Sequence, residues 1–249
     1  MRIIISIFIA VFFVLGCSKS KNADQQQVKN ESSEKVTSDS KPQSSSTKEE
    51  TSVKTKLPGG IEDLTYDVTS APDGMKYEGN IVAGAKWKDD NGLNTIIITE
   101  TKITEKEESG DLPYSRSKQL FGYQYITSGG DTKQIWKIND FVKDCPVDLD
   151  LSYMKNSLSI TDLNNNGIAE STFLYLLACR GDVSPEDMKL IMHEADKKYA
   201  IRGTTKIKLS GETYGGDTKI DKSFDDAPGG FLDYAKSEWS KRQVQKIGD

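Results

Sequence analysis

The clearest chemical potential in this chain lies in one short stretch, where Asp162, Asn164 and Asn166 stand at alternate positions and Gly167, Ile168 and Glu170 follow. Side chains two residues apart in a tight loop point inward, so their oxygens can converge on a hard cation, calcium above all. Ile168 would add its backbone carbonyl, and Glu170 would close the site from the ninth position. An EF-hand needs its bidentate glutamate at the twelfth position, where Phe173 stands, and a helix beyond it, where this chain has the apolar run Phe173-Leu174-Tyr175-Leu176-Leu177-Ala178. The expected setting is therefore a loop between two strands. Only Asp162 and Glu170 carry charge, which implies weak binding, roughly high-micromolar to millimolar as in extracellular modules. Magnesium fits less well, because it gives up its waters reluctantly to neutral oxygens. The same residues also suit an ordinary turn, since Asn and Gly tolerate left-handed backbone and Asn bonds its own main chain. At the level of sequence both readings stand.

Catalytic chemistry is thinly represented. His193 is the single histidine, no Ser or Cys motif partners it, and a histidine-rich zinc site is excluded. Paired carboxyls remain as a source of acid/base work, with Asp148, Asp150, Asp162 and Glu170 the closest set along the chain. A glycosidase holds two such groups at a fixed separation across a cleft, which spacing alone does not establish. Gly211-Glu212-Thr213-Tyr214-Gly215-Gly216 lacks the Lys-Ser/Thr ending of a phosphate-binding loop. Arg180-Gly181-Asp182 carries the tripeptide of integrin-binding adhesins, although Gly and Asp are also common in turns between strands.

The N-terminus sets the compartment. Arg2 precedes the apolar run 3–15 and then Gly16-Cys17, the basic and hydrophobic regions of a secretory leader, too short to span a bilayer comfortably. Val14-Leu15-Gly16-Cys17 resembles the lipobox of bacterial lipoproteins, which makes Cys17 the expected lipidation residue and the membrane a partner through several acyl chains. Ser18, with no Asp at that position, implies the outer membrane by resemblance to Gram-negative lipoproteins, the domain facing either the periplasm or the cell surface. Two cysteines then remain in an oxidising compartment, so Cys145 and Cys179 are expected to pair, the alternative being two separate buried thiols. Closing a loop of that length is worth about 3 to 4 kcal/mol in the chain-entropy model.

These residues need elements to hold them. Residues 18–56 are almost entirely polar, with eight lysines and six acidic residues, and read as a disordered tether close to neutral at +2. With Arg2, that leaves −8 of the total −5 on residues 57–249, a charge that argues against nucleic acid as a partner. These 193 residues suffice for one sizeable core. The expected fold is mainly β, a single domain of antiparallel hairpins with a C-terminal helix packed on it. One hairpin is expected at Asn91-Gly92, setting Trp87 opposite Ile96 and Ala85 opposite Ile98. A second turns at Gly129-Gly130, setting Tyr123 against Trp136 and Phe121 against Ile138. Its aromatic stripe suits the core face of a sheet, or a sugar-stacking platform. Ser184-Pro185-Glu186-Asp187 has the form of a capped helical turn. Met188, Leu190 and Met192 alternate into a third hairpin that returns through Tyr199-Ala200-Ile201. Phe231, Ala235 and Trp239 follow Pro228-Gly229-Gly230 at helical spacing.

The wording of three stretches goes further. Ser159-Ile160-Thr161 with the Asn-rich loop after it, Asp182-Val183-Ser184-Pro185, and Lys198-Tyr199-Ala200-Ile201-Arg202-Gly203 resemble a group of small lipoproteins common in Bacteroidetes-type bacteria and named surface polysaccharide biosynthesis protein. The resemblance spans about residues 80–239 and brings no catalytic residues with it. It implies a non-enzymatic accessory role in making or assembling surface polysaccharide, with surface glycan or its assembly proteins as partners. A carbohydrate-active enzyme using paired carboxylates is the alternative, and a surface adhesin the third reading.

Overall fold

The computed structural model describes residues 60–109 and 113–245, so the leader, Cys17 and the tether lie outside the described residues. Alternating apolar residues build a first sheet from β1 (Glu62–Tyr66), β2 (Asn80–Asp89), β3 (Gly92–Glu100), β4 (Thr104–Glu107), β5 (Tyr114–Ser128) and β6 (Asp131–Cys145). β3 and β4 pair one edge of β5, and β6 pairs the other. The second sheet begins with β7 (Asp148–Tyr153), β8 (Ser159–Thr161), β9 (Glu170–Arg180), β10 (Asp187–Glu194) and β11 (Lys197–Thr204). The chain then makes a small hairpin, β12 (Lys206–Leu209) and β13 (Glu212–Gly215), before β14 (Thr218–Ile220) completes that sheet beside β11. Helix α1 (Phe231–Arg242) follows, and β15 (Val244–Gln245) pairs β12 in parallel, all other pairings being antiparallel.

The period of two along each strand sends its side chains to opposite faces, and both faces of both sheets are used. Between the sheets lie Trp87, Ile96, Ile98, Leu120 and Trp136 from the first, against Leu151, Phe173, Tyr175, Ile191 and Ala200 from the second. The outer face of the second sheet, with Leu174, Leu190, Met192 and Tyr199, receives Phe231, Ala235 and Trp239 from one side of α1. This is the helix the spacing predicts, docked where its apolar stripe requires. The outer face of the first sheet carries Ile97, Phe121, Tyr123 and Tyr125, covered by Val68, Ala71 and Met75 from the connection between β1 and β2. Tyr123 Oη accepts from the Glu78 amide at 3.1 Å and Tyr125 Oη donates to the Lys76 carbonyl at 3.2 Å, so the stripe is core and no open stacking platform. Truncating a buried aromatic such as Phe173 to Ala would cost about 3 to 5 kcal/mol.

Two registers differ from expectation. The first hairpin turns through Asp90 and Asn91, with Asp89 paired to Gly92, so Trp87 faces Asn94 and Ala85 faces Ile96. The shift is two residues, which preserves the buried face. In the second hairpin Tyr125 pairs Gln134 as expected, but a bulge at Ile135 then sets Trp136 opposite Gln124 and Tyr123 opposite Lys137. One inserted residue sends Trp136 into the inter-sheet core while Tyr123 stays on the outer face. The helical turn expected at Ser184-Pro185 is instead an irregular connection into β10, because Glu186 exchanges main-chain and hydroxyl bonds with Thr205. Cys145 and Cys179 are bonded, with S–S 2.10 Å and Cα–Cα 5.7 Å, and the bridge ties the last residue of β6 in one sheet to β9 in the other.

Candidate functional site

β9 is the strand on which the candidate residues are arranged. At its start the loop from Asp162 connects β8 to Glu170, and Thr161 pairs Glu170 across the two strands. Left-handed backbone at Asn165 (φ 57°) and Gly167 (φ 80°) folds the loop back on itself. Asp162 Oδ1 accepts from the Asn166 amide at 3.1 Å and its Oδ2 from the Gly167 amide at 3.0 Å. Asn164 Oδ1 accepts from the Asn166 amide and Asn166 Oδ1 from the Ile168 amide, at 3.1 and 2.8 Å. The two Asn side chains are oriented by Glu194, whose Oε1 accepts from Asn164 Nδ2 at 2.7 Å and Asn166 Nδ2 at 2.8 Å. Hydrogen bonds thus join Asp162, Asn164, Asn166 and Ile168, Ile168 through its N–H, whereas the Glu170 carboxylate is engaged with Thr161 and Leu163 instead.

Glu170 is fully buried at 0 % exposure. Its Oε2 accepts from Thr161 Oγ1 at 2.9 Å and the Leu163 amide at 3.0 Å, while Oε1 has no partner among the described residues. The register places Glu194 directly across from it on β10. Burial pushes its carboxyl up to about 7, opposed by the Leu163 and Thr161 hydrogen bonds and assisted by Glu194 and Asp162. The side-chain oxygens of Asp162, Asn164, Asn166 and Glu170 are hard donors, a chemistry that suits calcium. Against it, the loop oxygens already accept amides, and no group of three or more His, Cys, Asp or Glu among the described residues comes together closely enough to hold a metal. A carboxylate oxygen that accepts one amide keeps a second lone pair, so the two uses are compatible in principle.

Sequence reasoning missed three supports of this loop. Glu194 belongs to no motif in the sequence, and its pairing with Glu170 depends on a register between distant strands. Asp89 is buried and accepts from Trp87 Nε1 (3.0 Å), Asn94 Nδ2 (2.9 Å), the Asn91 amide (2.9 Å) and the Ala169 amide (3.1 Å), joining the first hairpin to the loop. The one available signal was an acid at the inward phase of β2, two residues after Trp87. Behind it Asn94, Gln124, Trp136 and Ser171 continue a buried hydrogen-bonded chain between the sheets. Asp90 completes the dock, its amide donating to the Gly167 carbonyl at 2.9 Å.

Asp148 and Asp150 lie elsewhere. They pair Arg180 and Ala178 at the far end of β9, about 26 to 33 Å along the strand from Glu170. The four carboxyls therefore form two groups. At that far end Arg180 forms an ion pair with buried Glu186, and Asp182 accepts from the Ser184 amide at 2.9 Å, so the charged ends of the Arg-Gly-Asp tripeptide are engaged within their own connection. His193 is buried and stacks on Trp136 with ring centroids 4.1 Å apart. Burial, with Lys198 adding to it, pushes its imidazole down to about 3, which keeps it neutral. Compared with known proteins, the chain matches no family model, no curated protein and no solved structure.

Proposed function

We propose that this chain is an outer-membrane lipoprotein, anchored through Cys17, with a non-enzymatic accessory role in surface polysaccharide biosynthesis or assembly. The observation that favours binding over catalysis is the division of the candidate carboxyls between the two ends of β9, which leaves Asp148 and Asp150 without a facing partner in Asp162 or Glu170. The wording of the three sequence stretches supplies the polysaccharide context. In this reading the 162–170 loop is a structural element that takes calcium, with Asp162, Asn164, Asn166 and Glu170 as side-chain ligands and the Ile168 carbonyl beside them.

The test compares the surface glycans of cells lacking the chain, cells carrying it, and cells carrying Asp148→Asn with Asp150→Asn or Glu170→Gln. The accessory role predicts altered glycans in the deletion and restoration by every folded variant. Unaltered glycans in the deletion would end the proposal, and a folded carboxyl variant that behaves like the deletion would favour the enzyme. Cys17→Ser should leave the protein unlipidated and released from membranes. Acylation and processing identical to wild type would refute the anchor.

A further inference from the structure

A second region, away from the loop, combines exposed aromatic surface with hydrogen-bonding groups that the fold does not use up. Tyr66 closes β1 and is 46 % exposed, although its Oη accepts from the Ile160 amide at 3.3 Å. On one side of it a groove of 460 Å³ runs to Tyr153, Lys155 and Asn156. On the other a groove of 630 Å³ runs past Thr69, Ser70 and Lys86 to Thr132. Tyr66 and Asp67 line both, so the two grooves meet at that pair. Gly84 forms part of the floor, and the backbone of Val68 lies so close that a Cβ there would sit 2.9 Å from its carbonyl oxygen. The connection after β1 is thereby held down against the sheet.

The polar groups have a specific deficit. Tyr153 Oη accepts from the Ser157 and Leu158 amides at 3.2 and 2.9 Å, and Tyr66 Oη from Ile160, so each phenol is an acceptor toward the protein and retains a proton to donate. Asp67 supplies an acceptor, and Lys155 and Asn156 supply donors, all of them exposed. A ligand that suits such a surface presents a flat C–H face to an aromatic ring and paired hydroxyls at its rim. Both volumes lie within the range of small-ligand sites, about 300 to 1,000 Å³. The walls are too rich in hydroxyls for an apolar ligand, and with Asp67 and Asp73 balanced by Lys86 and Lys155 they lack the basic surface a nucleic acid needs.

We propose that these joined grooves bind an oligosaccharide, with a sugar ring stacked on Tyr66 and neighbouring rings extending to Tyr153 and Lys155 on one side and to Ser70 and Lys86 on the other. The proposal rests on the polysaccharide reading above only for the source of that chain. The experiment is calorimetric titration of the full lipidated chain in detergent micelles with short oligosaccharides cut from the cells' own surface polysaccharide. Saturable binding is expected, weakened about tenfold by Tyr66→Ala and by Lys155→Ala, and largely kept by Tyr66→Phe, which preserves the stacking ring. Lys155→Ala guards against a folding defect, because that side chain is exposed and outside every strand. Absence of saturable binding, binding indifferent to both alanine variants, or displacement of the sugar by unstructured peptides would each overturn the site. Its failure is separable from failure of the cellular role: altered glycans in the deletion without calorimetric binding would leave the role and remove the groove, and the converse would do the opposite.

Discussion

The two ends of β9 belong to one strand and are held by opposite means. At the Cys179 end cohesion is covalent and ionic, through the bridge to Cys145 and the Arg180–Glu186 pair. At the Glu170 end, Asp162, Glu170 and Glu194 hydrogen-bond, among the described residues, to neutral partners: backbone amides, the Thr161 hydroxyl and Asn side chains. A buried carboxylate with no opposite charge is costly, and it is relieved by a proton or by a cation. One end is therefore expected to answer to redox conditions and the other to pH.

The largest break in that contrast is chemical reduction. Removing the bridge, by reductant or by replacing both cysteines with Ala, should lower the unfolding free energy by about 3 to 4 kcal/mol in denaturant titrations. A loss below about 1 kcal/mol would mean that packing and the Arg180–Glu186 pair hold the far end without the bridge.

Next comes Glu170. Its carboxyl rises from an ordinary 4.5 to about 7 in the folded protein. A raised folded value contributes stability that is complete below the unfolded value and fades as pH climbs through the folded one. In chelator, this group should therefore cost the wild type up to about 3 kcal/mol between pH 4.5 and 8. His193, depressed to about 3, runs the other way and gains stability with pH up to 6.5. The Glu170 contribution is consequently read as the difference between wild type and Glu170→Gln, and parallel pH profiles for the two would contradict it.

Calcium gives a smaller effect. At ten times its dissociation constant it should add about 1.4 kcal/mol, raising the unfolding midpoint over that in chelator. Asp162→Ala should abolish the shift, and no shift in wild type would leave the loop closed by its own amides alone. The smallest comparison sets two glycines side by side. Gly167→Ala places a side chain at φ +80° and should cost about 1 kcal/mol, since the Asp90 carboxyl it would meet is exposed and free to turn away. Gly181→Ala has no positive φ and only Val147 at 3.6 Å, so its midpoint should barely move.

Much of the fold was legible because its signals are local. The period of two, the Gly129-Gly130 turn and the spacing of Phe231, Ala235 and Trp239 each carry their own cause. The bulge at Ile135 has no Gly or Pro to announce it, and it decides which face Trp136 occupies. The turn through Asp90 and Asn91 is fixed partly by Asp89 reaching the Ala169 amide, eighty residues away in sequence. The loop at 162–170 was legible as a loop because its residues are contiguous. Glu194 was not, because its neighbour across the sheet is set by tertiary register.

The bridge between Cys145 and Cys179 also governs how this protein behaves under load. Drawn out from its two ends, the chain would lengthen past every strand except those enclosed between the cysteines, which are separated by 34 residues. That hidden segment amounts to about 110 Å of extended chain, which a force–extension record should recover only in reductant. It contains β7, β8, the 162–170 loop and most of β9. The segment that carries Glu170 and its raised carboxyl is thus kept off the line of tension, and a pull on the rest of the molecule leaves its chemistry undrawn.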